Sequence, residues 1–258
     1  NAVRRTLDRY LPETGRIALV DGDGETATWL AERGAEVVRI VPEGGVTAAR
    51  ESVREAGVAE RVRVAAGEPR DLPIADDGVD AACWLGDGPS VYLDQSDRTD
   101  AVAEIARVVP EDEPVVVGGL GRIAALRTAL AWNAADVAQS ATGLFEDGEF
   151  TADRLGLDDA DADPFGGRVP FYGYRLSGFE VELVNEDLVI ERVLGLDGLL
   201  LGATRALEGL SDRELSGIED AVERAEDERA VADGSLRLLA VGRTDRTAEI
   251  DTEAQLFN

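Results

Sequence analysis

The first 120 residues alternate short apolar runs with amphipathic segments, and this alternation constrains the fold more than any other feature. The apolar runs lie at 16–20, 36–41, 62–65, 79–85 and 115–117. Glycine turns and segments of helical period separate the runs, as in successive βαβ units. The sequence therefore predicts an α/β fold of the Rossmann-like kind, with a mostly parallel central sheet flanked by helices.

Beyond residue 121 the pattern is less regular. Residues 123–141 have helical period, and a stretch rich in Gly, Asp and Pro follows, which predicts an irregular insertion at about 142–185. Three further elements are predicted: a strand at 188–194, a helix at 210–230 that opens with a Ser211–Glu214 capping box, and a strand at 236–241. We expect one domain over residues 1–243 and an acidic C-terminal tail at 244–258.

The charge of the chain restricts its environment and its partners. Asp and Glu number 53 against 26 basic residues, all of them Arg, for a net charge of −27. Acids spread along the whole chain favour adaptation to high salt, because salt screens their mutual repulsion. Nucleic acid is disfavoured as a partner, since phosphate binding requires a basic surface.

Several residue types are missing or rare. The chain has no His, which removes the commonest general base and a common metal ligand, and we expect no metal site. The lone Cys83 lies in an apolar run and cannot form an intrachain disulfide. No apolar stretch approaches the roughly 20 residues that span a membrane, and no signal peptide is visible. We therefore expect a cytoplasmic protein without membrane contacts.

A glycine turn after the first strand is the main binding motif. Gly22, Gly24 and Ala27 fit the G-x-G-x-x-A form of a nucleotide-binding turn, which by itself is a weak signal. No acid closes the second strand, where a dinucleotide's ribose would be held. Acids at 21, 23 and 25 would also repel a pyrophosphate. The turn thus favours a cofactor that carries positive charge.

Three longer segments give a more specific signal. The segments are IALVDGDGETATWLAERGAEVVRIVPEGG, VAAGEPRDLPIADDGVDAACWLGDGPSVYLD and EIARVVPEDEPVVVGGLGR. In order and spacing they resemble the motifs of class I S-adenosylmethionine (SAM)-dependent methyltransferases, in the flavour of haloarchaeal small-molecule enzymes. The resemblance implies that Gly22 and Gly24 approach the methionine moiety, that Glu68 lies near the adenine amine, and that Leu85 lines the cofactor.

The cofactor motif is degenerate in this chain. The family's first loop glycine falls on Val20, its motif-I Asp on Ala18, and its ribose-binding acid on Val41. Asp21, Asp23 and Glu43 are candidates for substitute contacts. Two hypotheses follow: a methyltransferase that acts on a small molecule, or a catalytically inactive, methyltransferase-like subunit that serves as a scaffold or partner of another protein.

Candidate catalytic groups follow the fourth strand. Asp87, Tyr92 and Asp94 could supply a base, although a solvated acidic loop explains them equally simply. Arg122 could hold a substrate carboxylate or pair with one of many acids. A cluster of aromatic residues in the insertion predicts either a pocket wall or packing of the insertion on the sheet; its members are Phe165, Phe171, Tyr172 and Tyr174.

Overall fold

A computed structural model describes residues 2–157, 163–201, 207, 209–226 and 228–246. Within these ranges the chain forms a seven-stranded sheet and a separate two-stranded sheet. The sheet strands are β1 (Arg16–Val20), β2 (Glu36–Val41), β3 (Val62–Ala66), β4 (Ala81–Trp84), β5 (Pro114–Leu120), β8 (Leu188–Gly195) and β9 (Arg237–Thr244). β6 (Glu149–Phe150) and β7 (Phe171–Tyr172) pair antiparallel in the small sheet.

The sheet has the order β3-β2-β1-β4-β5-β9-β8. Strands β1 to β5 pair in parallel, and β9 pairs antiparallel with both β5 and β8. Every residue of β4 and β5 is buried, because helices cover both faces of a parallel sheet. The predicted Rossmann-like fold with a mostly parallel sheet is confirmed.

The helices lie on both faces of the sheet and follow the predicted βαβ order. Their bounds are α1 (Ala2–Tyr10), α2 (Gly24–Glu32), α3 (Val46–Glu55), α4 (Gln95–Arg107), α5 (Arg122–Val137), α6 (Ala141–Glu146), α7 (Ala152–Leu155), α8 (Leu176–Val184), α9 (Asp212–Ala225) and α10 (Arg229–Asp233). Two helices near the candidate site, α2 and α4, each begin at an aspartate that serves as the N-cap. Asp23 accepts a hydrogen bond from the Thr26 N–H at 2.6 Å, and Asp94 accepts one from Ser96 N–H at 2.8 Å.

The insertion contains more regular structure than the sequence pattern indicates. The helix predicted at 123–141 ends at Val137, and Asn133 interrupts it with φ −151° and ψ 82°. Helices α6 and α7 and strands β6 and β7 lie within the stretch predicted to be irregular. None of these elements is long enough to show a period in the sequence, which is why pattern analysis missed them.

A small core of its own holds the insertion together. The rings of Phe150 and Phe171 stack with centroids 4.8 Å apart, and Phe165 meets both edge-on. These rings pack with Leu120 of β5 and with apolar residues of α5. Of the two alternatives for the aromatic cluster, packing therefore describes Phe165 and Phe171, which are both buried.

The C-terminal elements follow the prediction with shifted bounds. The helix expected at 210–230 is divided into α9 and α10, and α9 opens with the predicted Ser211–Glu214 capping box. The strand expected at 236–241 continues to Thr244 as β9. Most of the predicted acidic tail, residues 247–258, lies outside the described residues.

Candidate functional site

The carboxyl ends of four parallel strands meet at one edge of the sheet. Val20 of β1 is in register with Ile40 of β2 and with Trp84 of β4, and Val41 pairs with Ala66 of β3. The residues after these strands therefore form neighbouring loops. In open α/β sheets such an edge is the usual place for a ligand.

The glycine turn after β1 is built tightly against the strand that precedes it. A Cβ on Gly22 would lie 2.3 Å from Leu19 Cγ, and one on Gly24 would lie 2.7 Å from Ser52 Oγ. Asp21 adopts a left-handed φ of 49°, which is uncommon for a residue with a side chain. Its backbone N–H donates to the Ile40 carbonyl oxygen at 3.1 Å. A side chain at Gly22 would therefore displace the buried Leu19, whereas one at Gly24 would displace only the hydroxyl of the exposed Ser52.

Arg39, on the neighbouring strand β2, stabilises this turn by a hydrogen bond to its backbone. Its Nε donates to the carbonyl oxygen of Gly22 at 3.0 Å, and its Nη1 is buried without a hydrogen-bond partner. A Cβ on Gly24 would lie 3.4 Å from that same Nη1. Sequence analysis missed Arg39, although an Arg inside the apolar run EVVRIV was a usable signal.

Three carboxylates interact electrostatically at this edge. Asp21 is an exposed residue, but partial desolvation of its carboxyl raises its pKa, and the negative charges of Asp87 and Glu68 raise the pKa further. The nearby guanidinium of Arg39 acts in the opposite direction. The fold thus brings together three of the acids that the sequence singled out, and their repulsion favours a cationic ligand there.

The ribose side of the predicted site lacks a buried acid. Val41 ends β2 and is 7% exposed, and Ala18 is fully buried in the sheet core. Glu43 lies two residues beyond Val41, exposed in a short 3₁₀ turn (Glu43–Gly45). Glu43 could therefore reach a ligand only from the solvent-exposed side of this 3₁₀ turn.

The loop after β4 packs directly on β5. Gly88 has a φ of 52°, and a Cβ there would lie 1.9 Å from the Gly118 carbonyl oxygen. Ser90 Oγ, which is buried, accepts a hydrogen bond from the Leu120 N–H at 2.9 Å. Leu85, at the start of this loop, is half-buried against the core. These contacts hold the loop in place, so it forms one side of the candidate site.

The catalytic candidates have different surroundings. Burial raises the pKa of Tyr92, whose ring lies 5.1 Å from the Arg70 guanidinium and 6.4 Å from the Trp84 ring. Hydrogen bonds from the hydroxyl and N–H of Ser96 lower the pKa of Asp94. Asp94 thus has a structural role as the cap of α4. The catalytic roles of Asp87, Tyr92 and Asp94 stay predictions.

The side chain of Arg168 joins the insertion to an acid of the candidate site. Arg168 Nε donates to Asp87 Oδ1 at 2.9 Å, and its Nη1 donates to the Phe165 carbonyl oxygen at 2.6 Å. This ion pair joins the insertion to the loop after β4. No local sequence signal links residues 81 positions apart, so sequence analysis missed the pair.

Arg122 does not have either predicted role. Its five N–H donors are used by the carbonyl oxygens of Phe145, Glu146, Asp147 and Gly173 and by the Tyr172 hydroxyl, at 2.7 to 3.2 Å. No donor remains for a substrate carboxylate, and no acid side chain is among these partners. The prediction failed because the sequence cannot show that α6 ends against this guanidinium.

A buried ion pair also holds the loop after β4, through hydrogen bonds to the loop's backbone. Arg98 Nε donates to both carboxylate oxygens of Glu182 at 3.2 Å, and Arg98 Nη1 donates to the Tyr92 and Leu93 carbonyl oxygens. Its guanidinium carbon also lies 3.6 Å from the centre of the Tyr172 ring. Sequence analysis did not identify this pair either.

The described part of the chain holds neither a metal-ligand cluster nor a membrane-spanning helix. Its Cys, Asp and Glu residues include no group of three or more that could hold a metal ion. None of its helices combines the length and the hydropathy that crossing a membrane requires.

Comparison with known proteins gave a family match and structural matches. Residues 21–113 match the sequence profile of a methyltransferase domain. Comparison with curated proteins gave no significant match. The structure is similar to a SAM-dependent methyltransferase from Methanosarcina mazei, with a TM-score of 0.61 and 15% identity over 93% of this chain and 97% of that one.

Two further solved structures differ in what their proteins do. Geranyl diphosphate C-methyltransferase from Streptomyces coelicolor A3(2) matches with a TM-score of 0.57 and 15% identity, over 94% of this chain and 77% of that one. The [4+2]-cyclase SpnF matches with a TM-score of 0.58 and 16% identity, over 95% and 80%. The chain therefore has the fold of the solved SAM-dependent methyltransferases, and its residues 21–113 match the profile of a methyltransferase domain.

Proposed function

We propose that this chain binds SAM and transfers its methyl group to a small molecule. The observation that carries the proposal is the gathering of Asp21, Glu68 and Asp87 beside the glycine turn. SAM carries a positive sulfonium and a positive ammonium group, so it would relieve the repulsion between these carboxylates. A pyrophosphate-containing dinucleotide would increase it.

The residues of the edge suggest how the cofactor would be held. Gly22 and Gly24 would let the backbone approach the methionine moiety, Glu68 would accept from the adenine amine, and Leu85 would line an apolar side. Val41 cannot hydrogen-bond a ribose, so Glu43 would have to supply that contact. The cationic half of SAM fits the residues present better than the ribose half.

When bound, SAM would supply the methyl group, and the chain's own residues would position the acceptor. Methyl transfer to a good nucleophile depends mainly on positioning, so the lack of His does not exclude it. Asp87, one of the three carboxylates, is the candidate for taking up a proton from the acceptor. The raised pKa of Tyr92 keeps its hydroxyl protonated, so Tyr92 could only donate a hydrogen bond to the acceptor.

A second function is favoured by two observations. Buried Val41 and Ala18 replace two acids of the family motif, and Arg168 already pairs with Asp87 at the edge. A chain that no longer binds SAM could keep this fold as a non-catalytic subunit, with another protein as its partner. Similarity of fold alone does not decide between the two functions.

Calorimetric titration with SAM and S-adenosylhomocysteine, in molar KCl, tests the proposal. We expect micromolar binding, and we expect Asp21→Asn and Glu68→Gln to weaken it about tenfold each, because a hydrogen bond to a charged group contributes about 1.5–3 kcal/mol. Glu51→Gln, an exposed acid on α3, is the matched control. Absence of heat in a folded sample would instead support the non-catalytic subunit.

We also propose that the protein is adapted to high salt and works in the cytoplasm, without nucleic-acid or membrane partners. The net charge of −27 supports this, since such a chain repels itself and other polyanions.

Salt should therefore stabilise the fold. We expect the urea midpoint of unfolding to rise steadily between about 0.1 M KCl, where the Debye length is roughly 10 Å, and molar KCl. Circular dichroism measures it. An equal rise in molar sucrose, which screens no charge, would assign the effect to excluded cosolute instead of to charge.

A further inference from the structure

A tightly bonded loop of the insertion, residues 163–169, brings Arg168 to the candidate site. The Asp163 carboxylate accepts hydrogen bonds from three backbone N–H groups of this loop, at 2.8 to 3.3 Å. Phe165 is 3% exposed and packs in the aromatic core of the insertion. We call residues 163–169 the Arg168 loop. Because its backbone is already bonded and anchored, the loop needs no further ordering to place Arg168 at the sheet edge.

The Arg168 guanidinium is bonded on both sides but remains in contact with solvent. Its Nε donates to Asp87 Oδ1 at 2.9 Å, and its Nη1 donates to the Phe165 carbonyl oxygen at 2.6 Å. The side chain of Arg168 is 43% exposed and that of Asp87 is 25% exposed. Arg168 can therefore leave Asp87 by rotation of its own side chain, while the Arg168 loop stays packed on the insertion.

Asp87 is one of the three carboxylates whose repulsion favours a cationic ligand. The other two are Asp21 and Glu68, and the charges of Asp87 and Glu68 both act on Asp21. Arg168 supplies a positive charge to Asp87 from within the chain. A carboxylate that is already paired attracts a second cation less strongly. The Arg168 guanidinium and a positively charged ligand thus have the same carboxylate as a partner.

We propose that Arg168 is an internal competitor of the cationic cofactor, so that SAM gains the Asp87 carboxylate only where Arg168 has left it. This competition rests on the proposed function, since it needs SAM at this edge. The contact is then autoinhibitory, because the apparent affinity falls with the fraction of molecules in which Asp87 is free. A partly exposed ion pair of good geometry lowers that fraction about fivefold.

An ion pair with a purely structural role leads to a different expectation. If the pair only joins the insertion to the loop after β4, removing Arg168 lowers the free energy of unfolding and leaves the affinity for SAM unchanged. Competition instead raises the affinity for SAM, whatever stability is lost. Affinity and stability, measured on the same variants, therefore distinguish the two roles.

Calorimetric titration of SAM into the whole chain in molar KCl tests the proposal. We expect Arg168→Met to bind SAM about fivefold more tightly than the wild type, because the competing charge is gone. S-adenosylhomocysteine lacks the sulfonium charge, so its gain should be smaller. Arg154→Met is the matched control and should bind SAM as the wild type does, since Arg154 pairs with Asp147 and Glu149 inside the insertion. Urea unfolding shows that each variant is folded.

Asp87→Asn in two backgrounds tests whether both cations use the same carboxylate. In Arg168→Met the Asp87 carboxylate is free for the ligand, so removing its charge should weaken SAM binding about fivefold. In the wild type the same substitution removes the contact and the reason for competition together, so the affinity should change little. Equal effects in the two backgrounds would overturn the proposal, because Arg168 would then act on the ligand without sharing Asp87.

The outcomes separate a failure of this competition from a failure of the proposed function. Equal binding of SAM by the wild type and Arg168→Met overturns the competition and leaves the proposed function standing. Binding by Arg168→Met alone supports the competition and shows that Arg168, and not Val41 at the ribose corner, keeps SAM out of the wild type. If neither folded protein binds SAM, the proposed function fails and the competition fails with it.

Discussion

Replacing Arg98 by Met should lower the free energy of unfolding by about 3–5 kcal/mol, the usual cost of removing one partner of a buried ion pair. Both partners are buried, with Arg98 3% and Glu182 8% exposed. The substitution leaves the Glu182 carboxylate without its cation. It also frees the carbonyl oxygens of Tyr92 and Leu93, which accept from Arg98 in the native protein.

The Tyr174 hydroxyl cannot replace the lost cation. It already donates to Glu182, and burial together with the Glu182 charge raises its pKa well above the ordinary value. Tyr174 therefore stays protonated at neutral pH and contributes one hydrogen bond but no charge. The carboxylate in the Arg98→Met variant must either stay charged in an apolar environment or take up a proton, and both cost free energy.

Urea unfolding in molar KCl measures the effect, with Arg229→Met as the control. Arg229 pairs with Glu180 through two hydrogen bonds but is 69% exposed, so its loss should cost about 0–1 kcal/mol. The double variant Arg98→Met/Glu182→Leu should recover much of the loss, because no charge is left buried. A double variant as unstable as the sum of its single variants would show that the two residues act independently.

Much of the fold could be predicted because its signals are local. Strands β1 to β5 are short apolar runs, and the turns between them end at residues such as Gly34 and Gly57, which have φ of 115° and 75°. Each βαβ unit therefore has its own pattern of apolar residues and glycines. Regular alternation of this kind leaves few possible sheet topologies.

The insertion could not be predicted in the same way. Its apolar residues Leu144, Phe150, Leu155, Phe165 and Phe171 form one core but follow no helical or strand period. Each lies in a short element or a loop, so the element is stabilised by tertiary contacts and not by local preference. A pattern based on periodicity has nothing to detect there.

The candidate site was only half predictable. Asp21 and Asp87 could be chosen because each follows a strand at the same sheet edge, and Glu68 because the family resemblance implies it. The cations that surround them could not be chosen, because Arg39 and Arg168 reach the site from 17 and 81 positions away along the chain. In a chain with twice as many acids as bases, any acid is a possible partner for such an Arg.

Replacing Arg122 by Met should release the insertion from the sheet, at a cost of about 3 kcal/mol or more, since hydrogen bonds to a charged donor contribute about 1.5–3 kcal/mol each. The carbonyl oxygens of Phe145, Glu146 and Asp147 belong to the last turn of α6 and its end, where no intrahelical donors remain. Arg122 supplies those donors and brings positive charge to the carboxyl end of the helix.

Arg122→Lys separates the charge from the geometry. Lys keeps the positive charge but has three donors on one nitrogen, so it cannot reach the carbonyl oxygens of α6 and Gly173 together. We expect it to lose most of the stabilisation. Arg50→Met, at an exposed position on α3, is the matched control and should be nearly neutral.

Hydrogen exchange locates the effect. In Arg122→Met, protection should fall in residues 141–157 and 163–173, while strands β1 to β4 keep theirs, because the insertion has its own aromatic core and makes few contacts with those strands. Unchanged protection of the insertion would show that the aromatic core holds it without Arg122. If protection falls, Arg168 is no longer held against Asp87, and titration of S-adenosylhomocysteine into the variant then shows whether that ion pair competes with the ligand.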